Sequence, residues 1–385
     1  MGLFSAKKKN ENEQMTVQTC ATNSYSHPFL MLESYSPFVS KQFELYKTLR
    51  EAVPVIDAAL LKVVRLVGTF DVECDSKEAT ESVRRFLSEV KVNNGSTGVM
   101  QFLYTHLDQM LTYGTAVSEI VLSKDQKSLK ALYNASLLDI ELKKSSNGLG
   151  TDVYVKNADG SLKKVINDEL LCISTLNPEP CEVYGTSILK GLPFISSILL
   201  KIFNTIGVNF ERVGNVRFAV SYKPDRAEGV NTKKRVQEIA DQWSKAMRDK
   251  SSVCDFVSVG DVSVKVIGAD SQVLSCDIEI RHLLEQIVSK LCIPPFLLGF
   301  SWSSTERMSS VQADMLTSEL EYFRSLLTPV ISKICRWYLR LLGFCDDFTI
   351  NWSNINLQDE TQLAQARLDN ARAMQIESSF AEVKN

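Results

Sequence analysis

The chain has 385 residues, 44% of them hydrophobic and 23% charged, an ordinary globular mix that excludes a wholly disordered polypeptide. At that length one core does not suffice, and two or three packed units are expected. Forty-three basic residues against 46 acidic leave a net charge of −3, which excludes a protein that grips nucleic acid through a broad basic face.

The opening run Met1-Gly2-Leu3-Phe4-Ser5-Ala6 continues into Lys7-Lys8-Lys9 without the apolar stretch of a secretory signal, and Ala6 stands where a myristoylation site wants Ser or Thr. Polar residues run on to Tyr25, so residues 1–40 read as a flexible arm. From Lys41 the apolar positions recur at helical spacing: Phe43, Tyr46, Leu49 and Val53, then Ile56, Leu60, Val63 and Val67, with Pro54 expected to kink or divide the helix. Two more amphipathic helices are expected over about 78–90 and 98–113. The second carries His106 on its apolar face, where a hydrogen-bonded core residue is the simpler reading than a ligand. The texture then turns to β: strands over 115–122 and 138–143, a hairpin of 151–156 and 161–166 about Asn157-Ala158-Asp159-Gly160, and a strand over 170–174. No helix alternates regularly with these strands, so the class is α+β.

Residues 187–213 read as one long helix with Leu189, Leu192, Ile195, Leu199, Ile202, Ile206 and Phe210 along a stripe, its first turns bent or separated by Pro193. This is the most apolar stretch, but Ser196, Ser197, Lys201 and Asn204 interrupt it, so no membrane span is expected. A strand over 216–222 follows. A helix capped by Asn231 or Thr232 then buries Val236, Ile239, Trp243 and Met247, and carries Lys233, Lys234, Arg235, Lys245 and Arg248 elsewhere. With strands over 253–257 and 262–267, this makes a small α/β insert held between two long helices, the second covering 277–292. Lys233-Lys234-Arg235 reads first as a solvated face and second as a contact for an acidic partner.

Pro294-Pro295 ends that helix as an elbow, with Gly299 closing the turn before the polar run Ser301-Trp302-Ser303-Ser304-Thr305-Glu306-Arg307. Ser303…Glu306 and Ser309…Gln312 both fit a capping box, so a helix starts near one of them. Leu316, Leu320, Phe323, Leu327, Ile331, Ile334, Tyr338 and Leu341 carry it past an expected kink at Pro329 to Gly343. A strand over 348–352 and an Ala-rich helix over about 359–378 complete the chain.

Chemistry-bearing motifs are absent: no phosphate loop, no dinucleotide fingerprint, no H-E-x-x-H and no G-x-S-x-G. The nine cysteines form no C-x-x-C, and His27, His106 and His282 lie far apart, so neither a metal site nor a cofactor is expected. Cys172, Cys292 and Cys335, each alone in an apolar segment, read as buried thiols. Asp346-Asp347 reads as a solvated turn.

Ile293-Pro294-Pro295-Phe296-Leu297-Leu298-Gly299, the Ser-rich loop after it and Glu321-Tyr322-Phe323…Leu327-Thr328-Pro329 resemble a tailed-bacteriophage portal protein. So do Tyr184-Gly185-Thr186-Ser187-Ile188-Leu189 and Phe348-Thr349-Ile350-Asn351-Trp352. The pieces keep the family's order from about residue 40 to 375. The resemblance implies a non-enzymatic structural subunit of a homo-oligomeric ring, usually a dodecamer, at one capsid vertex of the virion, made in the host cytoplasm. Double-stranded DNA would pass through it. Its partners would be the major capsid protein, the terminase large subunit and head-tail adaptor proteins, with no membrane. By position, residues 41–186 and 308–360 would form the wing, 187–213 and 277–292 the stem helices, and 214–276 the clip. Residues 293–307 would be the elbow and tunnel loop, and 361–385 a short crown-like helix. Ser301–Arg307 would line the channel, and Lys233, Lys234, Arg235, Lys245 and Arg248 would face the terminase and adaptors. The residues themselves leave two rivals open: an α+β enzyme acting on nucleic acid, and a non-portal scaffold or adaptor.

Overall fold

A computed structural model describes residues 39–146, 150–157, 159–180, 182–214, 217–223, 261–267, 276–300 and 306–355, with single positions between and beyond. Pro54 does divide the first helix. α1 (Val39–Ala52) and α2 (Pro54–Leu66) meet at Val53, held extended by the following proline, which takes the first position of α2 where its missing N–H costs nothing. Arg50 ties the first helices together, bonding Asp57 of α2 at 2.8 Å and both Asp108 carboxylate oxygens at 2.9 and 2.8 Å.

β1 (Phe70–Cys74) leads to α3 (Lys77–Glu89), whose N-cap Ser76 accepts from the Ala79 amide. Asp346 is no solvated turn residue: it accepts from both the amide and the hydroxyl of Ser76, so it steadies that helix start from 270 residues away. β2 (Lys91–Val92) and β3 (Ser96–Thr97) precede α4 (Val99–Tyr113), which Gly114 ends in the left-handed conformation at φ 79°. β4 (Thr115–Leu122), β5 (Leu129–Asn134), and later β9 (Leu171–Thr175) complete a five-stranded sheet in the order β3-β2-β5-β4-β9. Between them β6 (Ile140–Lys144), β7 (Thr151–Lys156) and β8 (Leu162–Lys164) form a separate antiparallel sheet. The architecture is α+β, as expected.

α4 is the centre of the larger core. Phe102, Leu103, Leu107, Met110 and Leu111 are shut off from solvent among α1, α2, α3 and the sheet. His106 is wholly buried and is a core residue, its ring nitrogens 2.7 Å from Ser118 Oγ and 3.0 Å from Ser174 Oγ. A smaller cluster of Phe43, Val117, Leu137, Ile140, Leu142, Val153 and Leu171 joins the two sheets.

The long helix expected over 187–213 begins later, as α5 (Leu192–Gly214), because Ser187 is held by the Thr112 carbonyl at 2.6 Å and residues 187–192 turn instead. β10 (Arg217–Lys223) and β11 (Asp261–Ile267) pair antiparallel in full register, Arg217 against Ile267. α6 (Asp277–Lys290) returns along α5, and α7 (Glu306–Leu341) runs unbroken through Pro329 until Gly343 turns the chain at φ 86°. α7 is described from Glu306, and Ser303 of the first capping-box site lies outside the described residues. β12 (Phe348–Trp352) then pairs antiparallel with β1, Phe70 against Trp352, uniting the chain's two ends in one ladder. Arg324 of α7 locks that ladder, donating to the Val67 carbonyl at 2.8 Å and lying over the Trp352 ring.

Candidate functional site

Three regions carried functional expectations: the elbow with its polar loop, the two stem-like helices and the basic insert. Of the elbow, Pro294, Pro295 and Gly299 are described. α6 ends at Lys290, two residues earlier than expected, because Cys292 takes φ 53° and turns the chain. Ile293 drops back into the larger core at 4% exposure, and Pro294 is extended ahead of the single 3-10 turn Pro295–Leu298. Gly299 closes that turn at φ 83°, a conformation that favours glycine, while Phe300 donates to the Pro295 carbonyl at 3.1 Å. Leu297 and Leu298 lie against α2 beside Pro54, Val55 and Lys62. The elbow is thus a rigid corner bolted to the core, which delivers the chain to the start of α7.

Cys292 corrects the expectation of a buried thiol: it is exposed, since its left-handed turn carries it out of the α6 face, whereas Cys172 and Cys335 are buried. Burial lifts the Cys335 thiol to about 12 and the Cys172 thiol to about 11, which makes both inert at neutral pH. Beside the elbow, Cys292, Pro294, Pro295, Gln312, Met315 and Glu319 line a groove of about 560 Å³. Along α7 from there, Met308, Val311, Met315 and Tyr322 are exposed at helical spacing.

Ser301, Trp302, Ser303, Ser304 and Thr305 lie outside the described residues, and Glu306 and Arg307 enter only as the backbone of the first turn of α7. Lys233, Lys234, Arg235, Lys245 and Arg248 lie outside them as well, as do residues 1–38 and, but for Arg372, residues 356–385, where an Ala-rich helix was expected.

α5 leaves the core as it runs. Leu192 and Leu199 are buried, and the same stripe continues through Phe203, Ile206 and Phe210, where Phe203 is 47% and Phe210 59% exposed. The helix packs on α1 near its start and on α6 along its length. Leu192–Phe210, at mean hydropathy 1.3, is long and apolar enough to cross a membrane by length and composition alone, while Leu192 and Leu199 within it are buried in the core. α6 answers it with Ile280, Leu283, Leu284 and Ile287 inward and the Arg281–Glu285 pair outward at 2.9 Å. Among the described residues no group of His, Cys, Asp or Glu side chains is placed to hold a metal ion.

The head of α5 is fixed by Tyr184-Gly185-Thr186-Ser187. The Tyr184 hydroxyl accepts from the Leu142 amide at 2.8 Å and the Gly185 amide donates to Thr115 Oγ1 at 2.9 Å. Gly185 and Gly114 approach so closely that a Cβ on Gly185 would stand 2.1 Å from the Gly114 carbonyl oxygen. The motif is therefore a joint between the sheet and α5.

No family model and no curated protein matches the chain. Solved structures do. A chain from the neck of a native gene transfer agent particle, computed with C12 symmetry, superposes at TM-score 0.57 with 12% identity, covering 84% of this chain and 87% of that one. A chain of the virion of that native particle superposes at 0.55 with 13% identity, over 86% and 88%. An HK97 family phage portal protein from Corynebacterium diphtheriae covers 80% and 94% at 13% identity, but its TM-score of 0.42 is too low to weigh. By its architecture, this chain shares the fold of subunits from the neck of gene transfer agent particles.

Proposed function

We propose that the protein is a portal subunit that assembles head-to-tail into a ring at one capsid vertex and conducts double-stranded DNA during packaging and ejection. The observation that carries this is the pairing of that neck-subunit fold with a β10–β11 ladder borne outward on two mutually packed helices, α5 and α6. A ring needs two different complementary faces on each copy. The exposed Phe203 and Phe210 of α5 and the exposed Val311 and Met315 of α7 are apolar surfaces that one copy leaves uncovered.

In this assignment residues 41–186 and 308–360 are the wing, α5 and α6 the stem, and 214–276 the clip, which docks the terminase motor and later the head-tail adaptors through Lys233, Lys234, Arg235, Lys245 and Arg248. Residues 361–385 are a short crown-like helix, and the wing meets the major capsid protein. The elbow points Ser301–Arg307 into the channel. The small hydroxyls there, with Glu306 offsetting Arg307, let DNA slide, because each phosphate held by a cation releases counterions and strengthens binding. Twelve such subunits, each at −3, give a ring of about −36 that surrounds DNA without capturing it. The role is mechanical and calls for no catalytic residue.

Electron microscopy of the purified full-length protein tests the proposal. Rings with a central hole about as wide as a DNA duplex are expected, and a monomer under all conditions overturns it.

A further inference from the structure

β9 is the last strand of its sheet, paired among the described residues only with β4. In an antiparallel ladder successive residues point their backbone groups to alternate sides. The Leu171 carbonyl points away from β4, since it accepts from Lys333 Nζ at 2.6 Å. Ile173 and Thr175, two and four residues on, therefore also turn their N–H and C=O groups to the outer edge. That edge faces a groove of about 470 Å³ between β9 and α7, whose far wall includes Ser325, Leu326, Pro329 and Val330. Pro329 has no N–H to give to the Ser325 carbonyl, so this wall also presents a backbone acceptor without its helical donor.

Through Pro329 and Lys333 the groove opens into a second one of about 700 Å³, lined by Arg336, Trp337 and Arg340 and by Glu169 on the opposite side. Arg336 and Arg340 are exposed on successive turns of α7, and the salt bridges found among the described residues include neither. Two cations thus stand at the mouth of a cleft whose floor is an unpaired strand edge.

We propose that this cleft receives an extended, acidic segment of a partner protein, which adds a strand to β9 and lays its carboxylates against Arg336 and Arg340. Unpaired main-chain donors and acceptors recognise a peptide strand, and the flanking cations select its charge. The chain's own first 38 residues balance Lys7, Lys8 and Lys9 against Glu11, Glu13 and Glu33, and so lack the charge the cleft selects. Nucleic acid fits it poorly, because a strand edge reads no phosphate. The site lies about 30–50 Å along α7 from the polar loop at its start, at a 1.5 Å rise per residue. It goes beyond the ring proposal and does not require it.

A fluorescent octapeptide of four Glu-Val repeats, titrated into the full-length protein and followed by anisotropy and by amide hydrogen exchange, tests this. Binding is expected, with exchange slowed at Ile173 and Thr175, no binding of the matching Lys-Val peptide, and a loss of roughly tenfold in affinity in the Arg336→Glu, Arg340→Glu variant. A folded variant is shown by an unchanged denaturation midpoint. The proposal is overturned by no binding, by equal binding of the Lys-Val peptide, or by binding without protection of those amides. It is also overturned if the peptide binds only once residues 1–38 or 356–385 are deleted, or if a short DNA duplex displaces it.

Discussion

Among the described glycines, Gly114 and Gly185 make the closest backbone approach. A methyl group on Gly185 would meet the Gly114 carbonyl oxygen at 2.1 Å and the Leu176 carbonyl oxygen at 2.5 Å, both backbone atoms that cannot swing aside. Gly185→Ala is expected to cost about 2–4 kcal/mol, read as a lower denaturation midpoint. Gly207, in mid-α5, has nothing within 4 Å of a Cβ, so Gly207→Ala should gain about 0.5–1 kcal/mol in the same assay. His106 carries a pH dependence. Complete burial holds its imidazole down to about 4, below the 6.5 of an exposed ring. The unfolded chain therefore binds the proton first, so stability is whole above pH 6.5 and drains as pH falls toward 4, by about 3 kcal/mol in all. His106→Gln should be less stable at pH 7 yet lose less between pH 6.5 and 4.5, as urea midpoints at the two values would show.

At the scale of elements, α5 has one apolar stripe with two fates: Leu192 and Leu199 face the core, while Phe203 and Phe210 lie past its edge. Replacing Phe203 and Phe210 by Glu should leave the subunit's own stability within about 0.5 kcal/mol, since both are largely exposed. If the proposed ring buries this face between copies, the same change should dissolve it, because charge would then enter the interface. Mass photometry beside circular dichroism separates the outcomes, and rings formed by the double variant would remove α5 from the interface. α1 to α4 and α7 were legible in sequence because each keeps a long stripe at three- and four-residue spacing, and α1, α2, α4 and α7 also meet a proline or glycine at an end; α6 was legible as the run ahead of Pro294-Pro295. β1 and β5 were not. Phe70-Asp71-Val72-Glu73 buries only Val72 fully and exists through β12, some 280 residues on, and β5 buries Leu132 and Asn134 in a run too polar to alternate clearly. That the first turns before α5 stand apart was legible from Pro193, but the turn they make instead was not, because it depends on Ser187 reaching the Thr112 carbonyl, a contact between distant residues. The elbow was legible from Pro294, Pro295 and Gly299. The cleft at β9 was not, since no sequence pattern says which strand will end a sheet.

For the whole molecule, the net charge of −3 excludes a protein that clings to DNA, yet leaves room for one that encloses it. The distinction is quantitative. About six to ten phosphate contacts make affinity fall by 10³–10⁵ between 50 and 200 mM salt, which means that contacts of that number hold DNA firmly at low salt. A ring whose lumen carries Ser303, Ser304 and Thr305 avoids such contacts. Replacing all three by Lys would add about 36 cations to a twelve-membered ring, far above that threshold. The substitution touches a polar loop outside the interfaces proposed here, so rings should still form and be visible by electron microscopy. DNA-filled particles should become scarce, and DNA retained by isolated rings should be released as salt is raised, since displaced counterions drive the retention. A folding defect would instead abolish the rings at every salt concentration. Normal filling by the triple variant would mean that the loop does not meet the moving DNA, and the lumen would then have to be sought elsewhere along α7.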